Sequence, residues 1–409
     1  MIASGSLSDV RVIDLTQMLA GPICTQILAD HGATVIKVES LQGDDIRRAG
    51  PFKPEDELHA FGGYFASVNR NKKSLSIDLK TEAGREILRR LISTSDVVIE
   101  NFRAGVMERL GFSYESLRAE NPALVYGAIR GFGDPRSGES PYASWPAYDV
   151  IAQAMGGVIS ITGPQGGPPY KVGPGVGDIV PALMMGIGLL SALHHARATG
   201  QGQFVDVAMT DSILALCERI VYQHSFTGQA PGPEGNRHPL LCPYGLFPVA
   251  DGWVAIGCPT DAFWKILARA IGRPDMADNE AYASNAARLE HADTIIGAIE
   301  AFTKSRTKAE MAEILGGAIP FGPIFTASDI AEDRHFQIRN MIVELDHPGC
   351  MEPVRFAGIP IKMSLTPGSI RNRAPLLGEH TNETLAGLGY NQDAIQQLIR
   401  EKVVAERLP

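Results

Sequence analysis

Asp178 closes the glycine-rich run Val172-Gly-Pro-Gly-Val-Gly-Asp178 and opens an apolar stretch at 179–193. A loop is expected to end there and a helix to begin, with Asp178 as the N-cap. Pro181 then falls in the first turn, where its missing N–H breaks no ladder bond. The free N–H groups and dipole of a helix start favour an ionised carboxylate, and flanking glycines let a ligand approach the backbone. An ordinary capping Asp before a core helix has the same local sequence, so the rest of the chain must decide between cap and nucleophile.

Three other groups of residues have chemistry-bearing types at close spacing. Ser67-Val-Asn-Arg-Asn-Lys-Lys-Ser74, followed by Leu75 to Leu79 and Lys80, concentrates basic side chains. Glu100-Asn-Phe-Arg103 with Arg109 follows a strand-like segment, and Tyr148-Asp149 precedes Gln153-Ala-Met-Gly-Gly157. Basic residues on loops at the edge of an open sheet suit a polyphosphate-bearing ligand, whose charge they offset. For any single Lys or Arg, a solvated surface charge is the simpler account.

The elements that must position these groups follow from hydrophobic periodicity. Residues 10–15 read as a strand, followed by a small-residue turn at Ala20-Gly21-Pro22, a helix to about Asp30 and a second strand at 34–39. Further strands at 96–100, 124–129 and 203–207 alternate with helical patterns at 81–93 and 178–198, which predicts a doubly wound, Rossmann-like α/β domain. No G-x-G-x-x-G follows the first strand, which argues against a nicotinamide-dependent oxidoreductase. Helical patterns also cover 209–225. A Gly/Pro-rich passage at 227–239 then leads to a hairpin at 246–256 turning on Asp251-Gly252, and helical patterns fill about 260–315 as a smaller α-rich domain. Strand-like pieces surround His347-Pro-Gly-Cys350, and two helices end the chain.

The chain has 409 residues, 44% hydrophobic and 20% charged, with a formal charge of −9. This is the composition of a globular protein with no general affinity for nucleic acid. The five scattered cysteines contain no C-x-x-C pair and suit a reducing cytoplasm; no metal site is expected. The apolar run at 179–193 is too short to span a bilayer and reads as a buried helix, so no membrane partner is expected. His194-His195 lack metal-pair spacing on a helix, and Cys24 has no apparent activating base.

The succession Leu19-Ala-Gly-Pro22, Gly32-Ala-Thr-Val-Ile-Lys-Val-Glu39, Asn69-Arg-Asn-Lys-Lys-Ser74, Glu100-Asn-Phe102, Val176-Gly-Asp178 and Ala374-Pro-Leu-Leu-Gly-Glu-His380 resembles the class III CoA-transferases. The resemblance implies a large α/β domain built from both chain ends (1–218 and 332–409), a small domain (219–331) and an interlocked, ring-like homodimer. It implies coenzyme A and acyl-CoA as substrates, with no prosthetic group. Asp178 would be the catalytic carboxylate, forming mixed-anhydride and aspartyl-CoA thioester intermediates, with Gln17, Tyr148 and Asp149 in support. Met18, Leu19, Ile77, Leu79, Lys80, Asn101, Phe102 and Arg109 would contact CoA, and Asn236 and Arg237 would approach the substrate carboxylate. Two positions depart from relatives: Ser40 and Pro146 stand where formyl-CoA transferase has an arginine and a lysine, with Arg47, Arg48 or Lys72 as substitutes.

Covalent catalysis by a carboxylate splits acid exchange into steps that each keep the acyl group activated, provided water is excluded. Backbone N–H groups at the helix start are expected to stabilise the oxyanions, at ~3 kcal/mol per donor in comparable sites. The run at 67–74 looks closest to relatives using succinyl-CoA and a small dicarboxylate. Two alternatives remain. One is an α-methylacyl-CoA racemase, in which a histidine precedes the Asp; here Tyr148 occupies that place, a phenol too weakly acidic to cycle protons near neutrality. The other is a non-catalytic acyl-CoA-binding protein.

Overall fold

The computed structural model describes residues 5–406. The chain divides into two compact units, one made of residues up to Val158, Lys171–Phe226 and His335 onward, the other of Ile159–Tyr170 and Thr227–Arg334.

The first unit is built on seven strands: β1 (Arg11–Asp14), β2 (Thr34–Glu39), β3 (Lys73–Ile77), β4 (Val97–Glu100), β5 (Val125–Arg130), β6 (Phe204–Ala208) and a short C-terminal strand described last. β1 to β6 pair in parallel in the order β3-β2-β1-β4-β5-β6. The chain therefore starts mid-sheet, winds outward one way, and returns to wind the other. The reversal between β1 and β4 splays their following loops apart and opens a crevice at the strands' C-terminal ends. Both faces of the sheet are covered, so β4 and β5 are buried at every position and read as apolar runs rather than alternating ones.

Three helices matter for the crevice. Ala20–Asp30 follows β1 directly, and the expected turn at Ala20-Gly21-Pro22 is its first turn. Proline is tolerated there for the reason given for Pro181. Glu82–Ser93 is capped by the Thr81 hydroxyl, which accepts from the Gly84 N–H. Val176–Thr199 lies against β5 and β6, where Gly127 leaves room: a Cβ there would come to 3.0 Å from the Met185 sulfur and 3.1 Å from Leu189.

That third helix departs from the expected buried helix. It runs for 24 residues and buries Pro181, Ala182, Met185, Leu189 and Ala192 on one face. The other face exposes Leu183, Met184, Ile187 (64% exposed) and Leu190. By length and composition alone it could cross a membrane, contrary to the sequence estimate.

The second unit holds an antiparallel sheet of β7 (Tyr244–Val249), β8 (Gly252–Gly257) and β9 (Phe321–Pro323) over a cluster centred on Trp264, Ile295 and Met311. The hairpin turns at Ala250-Asp251, one residue earlier than the expected Asp251-Gly252, because Gly252 already pairs with Val249 as the first residue of β8. In the first unit the C-terminal segment adds a hairpin, β10 (Ile342–Leu345) with β11 (Val354–Ala357), and β12 (Val404–Ala405), which pairs antiparallel with β3. The Ala374–His380 motif serves this return: the Gly378 N–H donates to Ser74 Oγ, and the Ser74 N–H donates to His380 Nδ1.

Candidate active site

The loops after β1 and β4 are fastened to each other. The Gln17 N–H donates to Asn101 Oδ1 at 2.9 Å, and Asn101 Nδ2 donates to the Gln17 carbonyl at 2.7 Å. This reciprocal amide pair holds the mouth of the crevice at one width. Below it lies a buried charge network. The Asp14 carboxylate accepts from Lys72 Nζ at 3.0 Å and from the hydroxyls of Thr16 and Thr25. Lys37 Nζ donates to the Thr16 carbonyl and to Asp44, whose other oxygen accepts the Met18 N–H. Burial pushes the Asp14 carboxyl up, but the Lys72 and Lys37 ammonium groups overcome it and hold it at about 2. The network thus fixes the 16–18 loop, including Met18 in the left-handed region at φ 66°.

Asp178 enters the crevice from the third helix. The helix begins three residues earlier than expected: Gly175, not Asp178, is the N-cap, and Asp178 sits within the first turn. Nor are the helix-start N–H groups free. Val176 donates to Pro174, Gly177 to Asp149 Oδ1 at 2.8 Å, and both Asp178 and Ile179 to the Gly175 carbonyl. The expected backbone oxyanion donors are therefore occupied. Gly177 is glycine for packing rather than ligand access, since a Cβ would come to 2.4 Å from the Asp149 carbonyl oxygen.

The expectation of a carboxylate held ionised is also overturned. Burial pushes Asp178 up to about 7, and the neighbouring Asp149 carboxylate adds to the rise. Among the described residues no cation lies opposite to reverse it. Asp149 is better provided, since it accepts from Gln153 Nε2 and the Gly177 N–H and has Lys171 Nζ at 3.9 Å. A half-buried carboxyl poised near neutrality is more basic, and so more nucleophilic once ionised, than an ordinary aspartate.

Asp178 lines a cleft of about 170 Å³ together with Gln17, Met18, Asn101, Phe102 and Tyr148. That is room for a short acyl group. Tyr148 stands at the N-cap position of the Asp149–Met155 helix without a side-chain cap hydrogen bond and is 61% exposed.

CoA-transferase family III matches residues 7–381 of the chain. The chain belongs to this family. It is 47% identical to a succinyl-CoA:mesaconate CoA-transferase of Haloarcula hispanica over 96% of this chain and 99% of that protein. It is 36% identical to a succinyl-CoA–D-citramalate CoA-transferase of Chloroflexus aurantiacus over 97% and 98%. A crystal structure of a CAIB/BAIF family protein from Brucella suis superposes with a TM-score of 0.83 at 36% identity, covering 94% of this chain and all of that one (100%).

In this class III CoA-transferase several predicted CoA contacts lie elsewhere. Leu19 is buried in the cluster around Phe61 and Phe65, and Ile77 is buried in the main core beneath β3. Leu79 packs against that core, while Lys80 and Arg109 are exposed away from the cleft wall. The basic run does not form an open cationic surface. Arg70 is buried against Asp30 at 2.7 Å, Lys72 against Asp14, and Lys73 pairs with Glu383. Of the substitutes for the missing arginine, Arg47 is spent on Glu39 at 2.6 Å, and Arg48 remains exposed. Asn236 and Arg237 belong to the second unit, where Arg237 pairs with Asp293 at 2.7 Å.

Sequence reasoning missed Arg130 and Trp145 on the cleft wall, and it noted Arg103 among the loop residues suited to a polyphosphate without assigning it a contact. Arg130 is held by Glu100 at 2.6 Å and by Asp134, whereas the exposed Arg103 side chain has no protein counter-ion among the described residues. It directly follows Asn101-Phe102 at the sheet's switch point, which was signal enough to include it. Tyr64 was missed as well: burial, then Asp178, Asp149 and Asp44, push its phenol above the usual range, so it stays protonated beside the site.

Proposed function

We propose that the enzyme moves CoA from succinyl-CoA to a small dicarboxylic acid through covalent intermediates on Asp178. The observation that carries this reading is the position of Asp178: a half-buried carboxyl, raised to about 7, on the wall of an acyl-sized cleft at the sheet's switch point.

Asp178 attacks the thioester carbonyl, the C–S bond breaks, and CoA leaves as the thiolate. The thiolate attacks the aspartyl carbonyl of the mixed anhydride, which releases the donor acid and leaves an aspartyl-CoA thioester. The acceptor carboxylate attacks that thioester, giving a second anhydride and the thiolate again. Attack on the acceptor acyl carbonyl then forms the product and frees Asp178. With the helix-start N–H groups engaged, the Gln17 side-chain amide on the cleft wall is the donor that supports the oxyanions. Asp149 orients the helix start through Gly177, and Arg103 faces the distal carboxylate of a dicarboxylic acyl group or a CoA phosphate. Leu79, Lys80 and Arg109 remain proposed contacts for the outer part of CoA, and Asn236 and Arg237 for the acceptor.

The relatives named above support the substrate class, since both are named for succinyl-CoA as one partner and a dicarboxylic acid as the other. A homodimer is part of the proposal. Leu183, Ile187 and Leu190 form an exposed apolar stripe at helical spacing, and a second copy would cover it. Five unpaired cysteines suit a cytoplasmic location. The test is a screen of succinyl-CoA and other acyl-CoA donors against mono- and dicarboxylic acids. Transfer from succinyl-CoA to dicarboxylates is expected, with loss in Asp178→Ala; transfer confined to monocarboxylates would overturn the substrate assignment. Sedimentation should show a dimer, and an active monomer at nanomolar concentration would overturn the assembly.

A further inference from the structure

Away from the cleft, the first unit brings together three side chains from distant parts of the sequence. Asp56 lies in the loop between β2 and β3, and His347 and Cys350 lie in the connection between β10 and β11. Among the described residues these are the one trio whose carboxylate oxygen, imidazole nitrogen and sulfur all lie within 4.8 Å of one another.

The local structure is built to aim them. The Cys350 N–H donates to the His347 carbonyl at 3.0 Å, closing a turn that presents both side chains to the same side. Gly349, in the left-handed region at φ 92°, lies directly on the carboxylate: a Cβ there would come to 2.2 Å from Asp56 Oδ1. Asp56 Oδ1 already accepts the N–H groups of Leu58 and His59. Oδ2 does not share in this. It is buried with no hydrogen-bond donor, and His347 Nε2, at 3.4 Å, stands at ion-pair distance without hydrogen-bond geometry. An anionic oxygen enclosed in this way is costly unless a cation completes it. Phe61 holds the imidazole ring edge-on at 5.0 Å.

We propose that Asp56, His347 and Cys350 bind a divalent transition-metal ion of the zinc type. The donor set of one carboxylate, one imidazole and one thiolate matches that ion's preferences. Bonds of about 2.0–2.3 Å place tetrahedral ligand atoms about 3.3–3.7 Å apart; His347 Nε2 and Asp56 Oδ2, at 3.4 Å, already have that spacing, and with all three atoms within 4.8 Å of one another the Cys350 sulfur need close by about 1 Å at most, a movement a turn can make. His347 also lines a cavity of about 620 Å³ with Lys53 and Glu352 on its wall. The ion would tie the N-terminal 50–60 loop to the C-terminal hairpin as a structural staple. Sequence inspection finds no such site because His347 and Cys350 alone make an incomplete motif.

The experiment strips the full-length protein with chelator and titrates it with Zn²⁺ and Co²⁺. Native mass spectrometry should show one ion per chain. The cobalt form should show a thiolate-to-metal charge-transfer band, and zinc should raise the unfolding temperature. Cys350→Ser changes a half-buried turn residue and should keep the fold, lose that band, lose the thermal shift and weaken zinc binding at least about 100-fold, since even an outer-shell change costs 10–100-fold. Asp56→Asn should also weaken binding, and should it fail to fold, Cys350→Ser decides alone. Absence of one bound ion per chain, or equal affinity and spectra in wild type and Cys350→Ser, would overturn the proposal.

Discussion

Asp178→Asn should make the protein more stable at alkaline pH while abolishing its chemistry. An aspartate whose folded pKa lies above its unfolded value costs stability as it ionises. Below about pH 4 both states hold the proton, and the wild type should match its neutral isostere. Between about 4 and 7 the unfolded chain ionises first, so the wild type loses stability as pH rises through that window, and the full penalty stands above it. A rise from 3.8 to about 7 corresponds to about 4 kcal/mol at 1.36 kcal/mol per pH unit. The asparagine variant, which carries no charge to bury, should therefore gain on the order of 4 kcal/mol over the wild type at pH 8 relative to their difference below pH 4. Urea unfolding of both proteins at pH 5 and pH 8 reads this directly. A stability difference that does not widen between the two pH values, or a variant less stable at pH 8, would refute the reasoning.

The same ionisation should appear in kinetics: kcat/KM for the donor should rise with pH to a plateau with a midpoint near 7, and a profile flat from pH 5 to 9 would contradict a nucleophile raised by burial. Gly177→Ala should cost about 1–3 kcal/mol and lower transfer, because the new methyl must push the Asp149 carbonyl away; calorimetry and turnover check both. Asn101→Ala removes two hydrogen bonds between the β1 and β4 loops and should cost about 1–2 kcal/mol, with loosened acyl-CoA binding seen as a raised KM. Lys72→Met should destabilise by about 3–5 kcal/mol by stranding Asp14, and adding Asp14→Asn should restore part of that loss.

Much of the scaffold was legible from local pattern. β2 was expected at 34–39 and occupies Thr34–Glu39, and the alternation of strands with helices foretold the doubly wound sheet. Local pattern failed where the deciding partner is distant. Arg70 and Lys72 read as solvated or ligand-binding charges, since nothing near them in sequence reveals Asp30 and Asp14, which take them into the core. Leu19 and Ile77 were placed against CoA by family position, but Ile77 ends β3 inside the main core and Leu19, at the start of the first helix, packs in the cluster around Phe61 and Phe65. Asp178 was found for a partly wrong reason. An Asp before an apolar run fits an N-cap or the first turn equally well, and only the fold shows that Gly175 holds the cap, that Asp149 occupies the Gly177 N–H, and that burial, with Asp149 adding to it, raises the Asp178 carboxyl.

The central claim is that Asp178 itself carries the group in transit. Incubating the enzyme with succinyl-CoA in the absence of acceptor, then quenching and weighing it, should reveal a CoA-sized adduct. Proteolysis should place that adduct on the peptide containing Asp178, and hydroxylamine should remove it. Its absence under conditions of measured turnover, its location on another residue, or full exchange activity in Asp178→Ala would contradict the account.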